Sequence, residues 1–196
     1  MKAIIDEQFY VIGNNLALDF VNSSIVDLTV ENLVGWAIAV GLVDDSAGIP
    51  LAAKWQRFDL AEIDRFRAKL RVIVANLAFG GTAGNESIGL INNTLKKNGG
   101  HTELVRTDEG FAKRFSMDLT VPDGLLVPIA ESFADLLCYG NLDYLRKCES
   151  PECILYYYDN TKNHKRRWCS MSVCGNRAKA NKFYQRKKER LAVRAN

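Results

Sequence analysis

Four cysteines, Cys148, Cys153, Cys169 and Cys174, carry the clearest chemistry in the sequence. They form two C-x4-C pairs separated by fifteen residues. Two close thiolate pairs on a short connector can hold one tetrahedral ion. Each pair curls as a knuckle, and the connector folds back as a hairpin. Four thiolates in a closed set suit Zn²⁺, so one ion per chain is expected. A catalytic zinc keeps an open position for water, so four filled positions make this ion structural. Redox-active cysteines are the alternative.

A basic run, Lys179 to Arg194, follows the last cysteine. Residues 148–196 hold 12 Lys or Arg against 4 Asp or Glu, whereas residues 1–147 hold 14 against 19. An acidic body with a basic tail suggests that the tail meets a polyanion. Lys179, Lys182, Arg186 and Arg190 recur at helical spacing and share one face. A solvated face is the rival reading, but only Glu189 opposes this excess. Lys165, Arg166 and Arg167 extend the same basic surface. Arg177 has two readings of equal standing, bracing the knuckle through carbonyls or contacting phosphate. Asn176 caps or orients the site. Trp168 reads as core, and Phe183 or Tyr184 as packing on the hairpin. Alternation along Tyr156, Tyr157 and Tyr158 predicts at least one exposed ring.

The elements that must position these residues are legible from periodicity. Ile154–Asp159 reads as a strand, Asn160–His164 as a turn and Lys165–Trp168 as the return strand. A helix then starts near Cys174 and runs to about Leu191. Knuckle, hairpin and helix make a treble-clef-like arrangement over 147–196. Upstream, Phe9–Ile12 reads as a short strand ending at Gly13. Leu16–Val21 is apolar and ambiguous in type. Helices are predicted over Val30–Val40, stopped by Gly41, and over Asp59–Ala78, with Asp59 and Glu62 as a capping box. A third spans Glu86–Lys97, with Asn98-Gly99-Gly100 as its stop. Thr102–Thr107 and Phe111–Leu119 form a hairpin. A helix over Leu125–Tyr139 tolerates Pro128 near its first turn, and Leu142–Arg146 adds one more helical turn. The fold class is α+β: a helix-rich domain over 1–146 with a small β-hairpin, then the metal module.

Asp19, Asn22 and Ser23 place polar groups inside an apolar segment. Asp19 and Asn22 are candidates for ligand binding, weighed against a structural hydrogen-bonding role. Cys138, beside Leu136 and Leu137, reads as a buried small hydrophobe. His101 and His164 lie far apart, and neither has a Ser or Cys arrangement that makes a nucleophile and base. No phosphate loop or dinucleotide fingerprint occurs, so the expectation is a protein that is not an enzyme. No apolar run reaches the length of a membrane span, and the first fifteen residues do not read as a signal peptide. The expected location is the cytoplasm, where thiols stay reduced and paired cysteines bind metal rather than each other.

Cys174-Gly175-Asn176-Arg177, with Arg166-Arg167-Trp168-Cys169 before it and Asn176–Ala180 after it, resembles the CGNR zinc-finger family. The upstream part resembles the ABATE domain through Leu18-Asp19-Phe20-Val21-Asn22 and the Trp36–Leu42 stretch. The resemblance implies a bacterial transcription regulator whose finger binds DNA, with Cys148, Cys153, Cys169 and Cys174 as zinc ligands. The acidic first knuckle, Glu149-Ser150-Pro151-Glu152, opposes DNA approach on its side and makes the helix the better contact surface. The partner is therefore nucleic acid, double-stranded DNA first, with a small-molecule effector or an interaction partner at the N-terminal domain. The rivals are a finger that docks on an acidic protein, an RNA-binding module using exposed tyrosines, and an enzyme acting through the N-terminal domain.

Overall fold

The segment whose type periodicity left open, Leu16–Asn22, is the central helix of the body, α1. Asn15 caps it, its side-chain oxygen accepting from Ala17 N and Leu18 N at 3.1 and 3.3 Å. Every residue from Ala17 to Asn22 is buried. A helix enclosed on all sides needs no polar face, so it shows no stripe to read. The computed structural model describes residues 4–5, 9–25, 27–97 and 100–194. The Asn98-Gly99 stop and the side chains of Glu189 and Leu191 lie outside the described residues.

Strands β1 (Ile4–Ile5) and β2 (Tyr10–Val11) pair antiparallel ahead of α1. Helix α2 (Val30–Ala39) follows, capped by Thr29, and ends at Gly41, whose φ of 76° suits glycine. It buries Leu33, Val34, Trp36 and Ala37. Helix α3 (Gly48–Trp55) has no counterpart in the sequence reading. Gly48 and Pro50 look like turn residues, yet a proline in the first turn removes an N–H that has no intrahelical acceptor. Leu51 and Trp55 anchor α3 to the core, and Trp55 Nε1 donates to Leu119 O at 3.2 Å.

Helix α4 (Ala61–Ala78) buries Ile63, Phe66, Leu70, Ile73, Val74 and Leu77, the face its spacing predicts. Its start differs from the expected capping box. Asp59 accepts from Ala61 N at 2.9 Å, and Glu62 turns to Arg65 and Lys97 instead of reaching back. Helix α5 (Asn85–Leu95) precedes the ribbon of β3 (Gly100–Thr107) and β4 (Gly110–Met117), which closes through Asp108-Glu109. Helix α6 (Leu126–Tyr139) holds Pro128 in its first turn and buries Leu126, Ile129, Phe133 and Leu136. Cys138 corrects the expectation of burial. It is exposed, because it lies on the side of α6 opposite that buried row.

The helical turn expected over Leu142–Arg146 is present as a 3₁₀ turn at Leu142–Tyr144 and gives way to strand β5 (Leu145–Lys147). Strand β6 (Tyr156–Tyr158) pairs with β5, not with Lys165–Trp168, which belongs to no ladder. Helix α7 (Asn176–Arg194) closes the described chain. The class is α+β, with helices around α1 and the metal module at the end.

Strand β6 connects two cores. Tyr156 is buried in the main cluster, with Tyr158 packed against it. Tyr157 points the other way, into a small cluster with Ile12, Leu155 and the cysteines. None of the three rings is exposed, contrary to expectation, because apolar groups cover both faces of the strand.

Candidate metal centre

The first knuckle hangs between β5 and β6. Cys148 N donates to Leu155 O at 3.0 Å, and Cys153 N to Ser150 O at 2.9 Å, so the chain curls between the two ligands. The second knuckle runs through a wide helical turn, Met171–Gly175, which opens directly into α7. Gly175 N closes that turn on Ser170 O at 3.0 Å. A Cβ at Gly175 would stand 2.7 Å from the Met171 sulfur and 3.2 Å from the Trp168 ring, so a side chain there would displace the end of Met171. Asn176 Nδ2 donates back to Ser172 O at 3.1 Å, the orienting role expected of it.

The Sγ atoms of Cys148, Cys153, Cys169 and Cys174 all lie within 4.8 Å of one another. Cys169 Sγ is 3.6 Å from Cys153 Sγ and 3.5 Å from Cys174 Sγ. Sulfurs bound tetrahedrally to one Zn²⁺ at about 2.3 Å stand about 3.8 Å apart. The donor set therefore fits one structural Zn²⁺. Three of the cysteines are buried, with Cys153 the more open. A hydrogen bond with Cys169 pulls the Cys153 thiol down to about 5. The same contact, with burial and the neighbouring sulfurs, pushes Cys169 up, and burial raises Cys174. Four thiolates so close repel one another, and a dication removes that repulsion.

Backbone donors and a guanidinium complete the shell. Cys169 N donates to Cys148 Sγ at 3.3 Å. Arg166 donates to Trp168 O at 3.0 Å, to Ile12 O at 3.2 Å and to Cys169 O, and its guanidinium stacks 4.1 Å from the Tyr157 ring centroid. Arg166 thus ties a zinc ligand to the N-terminal body.

Asp159 holds the connector, and the sequence reading gave it no role. Its side chain is fully buried. One carboxylate oxygen accepts from Thr161 N and Thr161 Oγ1 at 3.1 and 2.6 Å, and the other from Arg166 N at 2.9 Å. Burial pushes its pKa up, but the Thr161 and Arg166 N–H bonds outweigh that and keep it below the usual range. The Asp-x-Thr spacing is an Asx-turn signal that could have identified it. The carboxylate takes the Arg166 N–H that a return strand would have offered to β6. Tyr157 OH donates to Arg166 O at 2.7 Å. His164, at φ 46°, stacks on Tyr144 with centroids 3.6 Å apart and bonds Asp159 O through Nδ1 at 2.8 Å.

The other basic side chains fall into two groups. Arg167 pairs with Glu149 at 2.6 Å and Arg177 with Glu152 at 3.7 Å, so the acids of the first knuckle neutralise neighbouring arginines. Lys165, Lys179, Lys182, Arg186 and Arg190 are exposed and pair with no acid among the described residues. Phe183 and Tyr184 pack edge-on against each other and stay 65% and 66% exposed, away from the connector where packing was expected. From Lys179 to Lys188, every side chain of α7 is exposed.

Asp19 and Asn22 sit on one turn of α1. Asp19 Oδ1 accepts from Ile12 N at 2.9 Å and Gly13 N at 2.7 Å. Burial raises its pKa to about 6 against the pull of those two bonds. A Cβ on Gly13 would stand 2.8 Å from Leu18 Cβ and 3.0 Å from Asp19 N, so this approach needs glycine. Asn22 accepts from Tyr156 N at 2.9 Å and donates to Tyr156 O at 2.8 Å. Its carboxamide is engaged at both ends by the backbone of β6.

A helical body joined through one shared strand to a four-thiolate zinc module defines the class: a zinc-finger protein with an appended helical domain. The chain belongs to the ABATE family, described as "Putative stress-induced transcription regulator", whose model matches residues 14–140. The CGNR zinc finger matches residues 144–187. No curated protein matches the chain. Among the described residues, no helix is long and apolar enough to cross a membrane.

Proposed function

We propose that the protein is a cytoplasmic, non-enzymatic regulator of transcription. Its finger, residues 147–196, binds double-stranded DNA, and its body, residues 1–146, senses a ligand or docks a partner. The observation that carries this reading is α7. It leaves the zinc site directly, is exposed on all faces from Lys179 to Lys188, and presents Lys179, Lys182, Arg186 and Arg190 without acidic partners among the described residues. A polar helix with no packing face of its own is marginal in water and gains from a polyanion laid along it. Arg177, after exchange of its acidic partner for phosphate, extends the contact. Zinc supplies the rigid origin of the helix.

The double variant Lys182→Ala, Arg186→Ala tests the assignment. Each phosphate contact contributes about −0.9 to the log–log salt slope on duplex DNA. The variant should bind all sequences more weakly, with a slope flatter by about 2 units and zinc content unchanged. Wild-type affinity and slope would make this face merely solvated. The exposed Phe183 and Tyr184 favour a second reading, stacking on unpaired RNA bases. Stronger binding to single-stranded RNA than to duplex DNA, lost in Phe183→Ala, would establish that reading instead.

A further inference from the structure

A groove of about 1210 Å³ runs between the body and the finger. One wall is the start of α1 and the last residues of α2; the other is the finger segment from Lys165 to Ser172. The groove is chemically asymmetric. Asp19 lines it and is only 7% exposed. Its Oδ1 is taken by Ile12 N and Gly13 N, but no described residue donates to Oδ2. Its burial makes a cationic donor there more favourable than it would be at the surface. The carbonyl end of α2, at Val40, lies on the same wall and adds negative potential. On the facing wall, Arg166 is committed to carbonyls and Arg167 to Glu149, whereas Lys165 is exposed and pairs with no acid among the described residues. Leu16, Ile38 and the half-buried Trp168 line the same groove and make part of it apolar.

We propose that this groove binds a small zwitterion with an apolar middle, an amino acid or short peptide, with its ammonium on Asp19 and its carboxylate on Lys165. A simple amine would leave Lys165 unused, and a simple carboxylate on Lys165 would leave Asp19 Oδ2 unused. The apolar wall favours an aromatic or branched side chain, because it removes that surface from water. Trp168 precedes the zinc ligand Cys169, so the ligand would rest on both body and finger. The inference deepens the sensing role proposed for the body and does not depend on whether the finger binds DNA.

The test uses the full zinc-loaded protein without nucleic acid. L-Phenylalanine, the dipeptide L-phenylalanyl-L-phenylalanine, phenethylamine and 3-phenylpropionate are titrated by calorimetry. At least one zwitterion should bind saturably and more tightly than the amine and the acid, and the arms separate amino acid from peptide. Asp19→Asn keeps the acceptor for Ile12 and Gly13 and should weaken that ligand by about tenfold or more; Lys165→Ala, on an exposed residue, should weaken it too. No saturable binding of either zwitterion, or binding unchanged in Lys165→Ala and in folded Asp19→Asn, overturns the inference. The DNA reading fails separately, through the salt slope of the α7 variant.

Discussion

The Asn22 carboxamide forms a closed pair with the backbone of Tyr156, accepting from its N–H at 2.9 Å and donating to its carbonyl at 2.8 Å across 134 residues of sequence. Two residues further along β6, Tyr158 N donates to Gly13 O at 2.8 Å and Asn14 Nδ2 donates to Tyr158 O at 2.9 Å. The outer edge of β6 is thus satisfied by the body, as a third strand would satisfy it. Removing the Asn22 amide leaves a buried donor and a buried acceptor without partners. Asn22→Ala should cost about 2–4 kcal/mol in urea denaturation. Body and finger should still unfold in one transition, followed by far-UV circular dichroism and by zinc release to a chromogenic chelator. A loss below about 0.5 kcal/mol would mean that water replaces the amide.

Purified protein should contain one Zn²⁺ per chain with sulfur-only coordination, read by metal analysis and X-ray absorption. Cys169→Ser should lose the ion. Because Tyr156 lies in the main core, the body should also lose stability, although its own hydrophobic cluster keeps it folded. A thermal midpoint for the body equal to wild type would show that the two cores are energetically separate.

Asp19 makes stability fall as pH rises. Its folded pKa, about 6, exceeds the ordinary value of 3.8 because burial disfavours the charged form. Between those values the folded protein holds a proton that the unfolded chain has released. Stability attributable to this group is therefore complete below pH 4, is lost through about pH 6, and stays lost above it, a cost of about 3 kcal/mol. Asp19→Asn removes the titration and keeps the Oδ1 acceptor. It should be more stable than wild type at pH 7.5, with the difference shrinking at pH 5.5. A difference independent of pH would contradict the assignment.

Arg166 should behave as a structural residue, unlike the cations of α7. Arg166→Ala removes donors to Ile12, Trp168 and Cys169 carbonyls and should cost about 2–4 kcal/mol and speed zinc loss to a chelator. Arg166→Lys should not restore the wild-type rate, since a point charge cannot reach three carbonyls at once. Unchanged zinc kinetics in both variants would return Arg166 to the surface role read from sequence.

Local spacing along the chain encodes only what neighbouring residues can show. The four ligands, the buried rows of α2, α4 and α6, the β3–β4 hairpin and the basic face of α7 all follow from residues that are near one another in the chain. Tertiary structure decided the rest, because there the relevant partner is distant. Segment 16–22 showed no stripe because it is enclosed on every side. The three tyrosines of β6 are covered on both faces because the strand lies between two cores. Arg166 looks like any other cation beside Arg167 until the Ile12 carbonyl, 154 residues away, takes one of its donors. Asp19 and Asn22 look alike in sequence. Only the fold turns one toward a groove and closes the other on a strand, since a buried polar side chain is committed by the neighbours that enclose it.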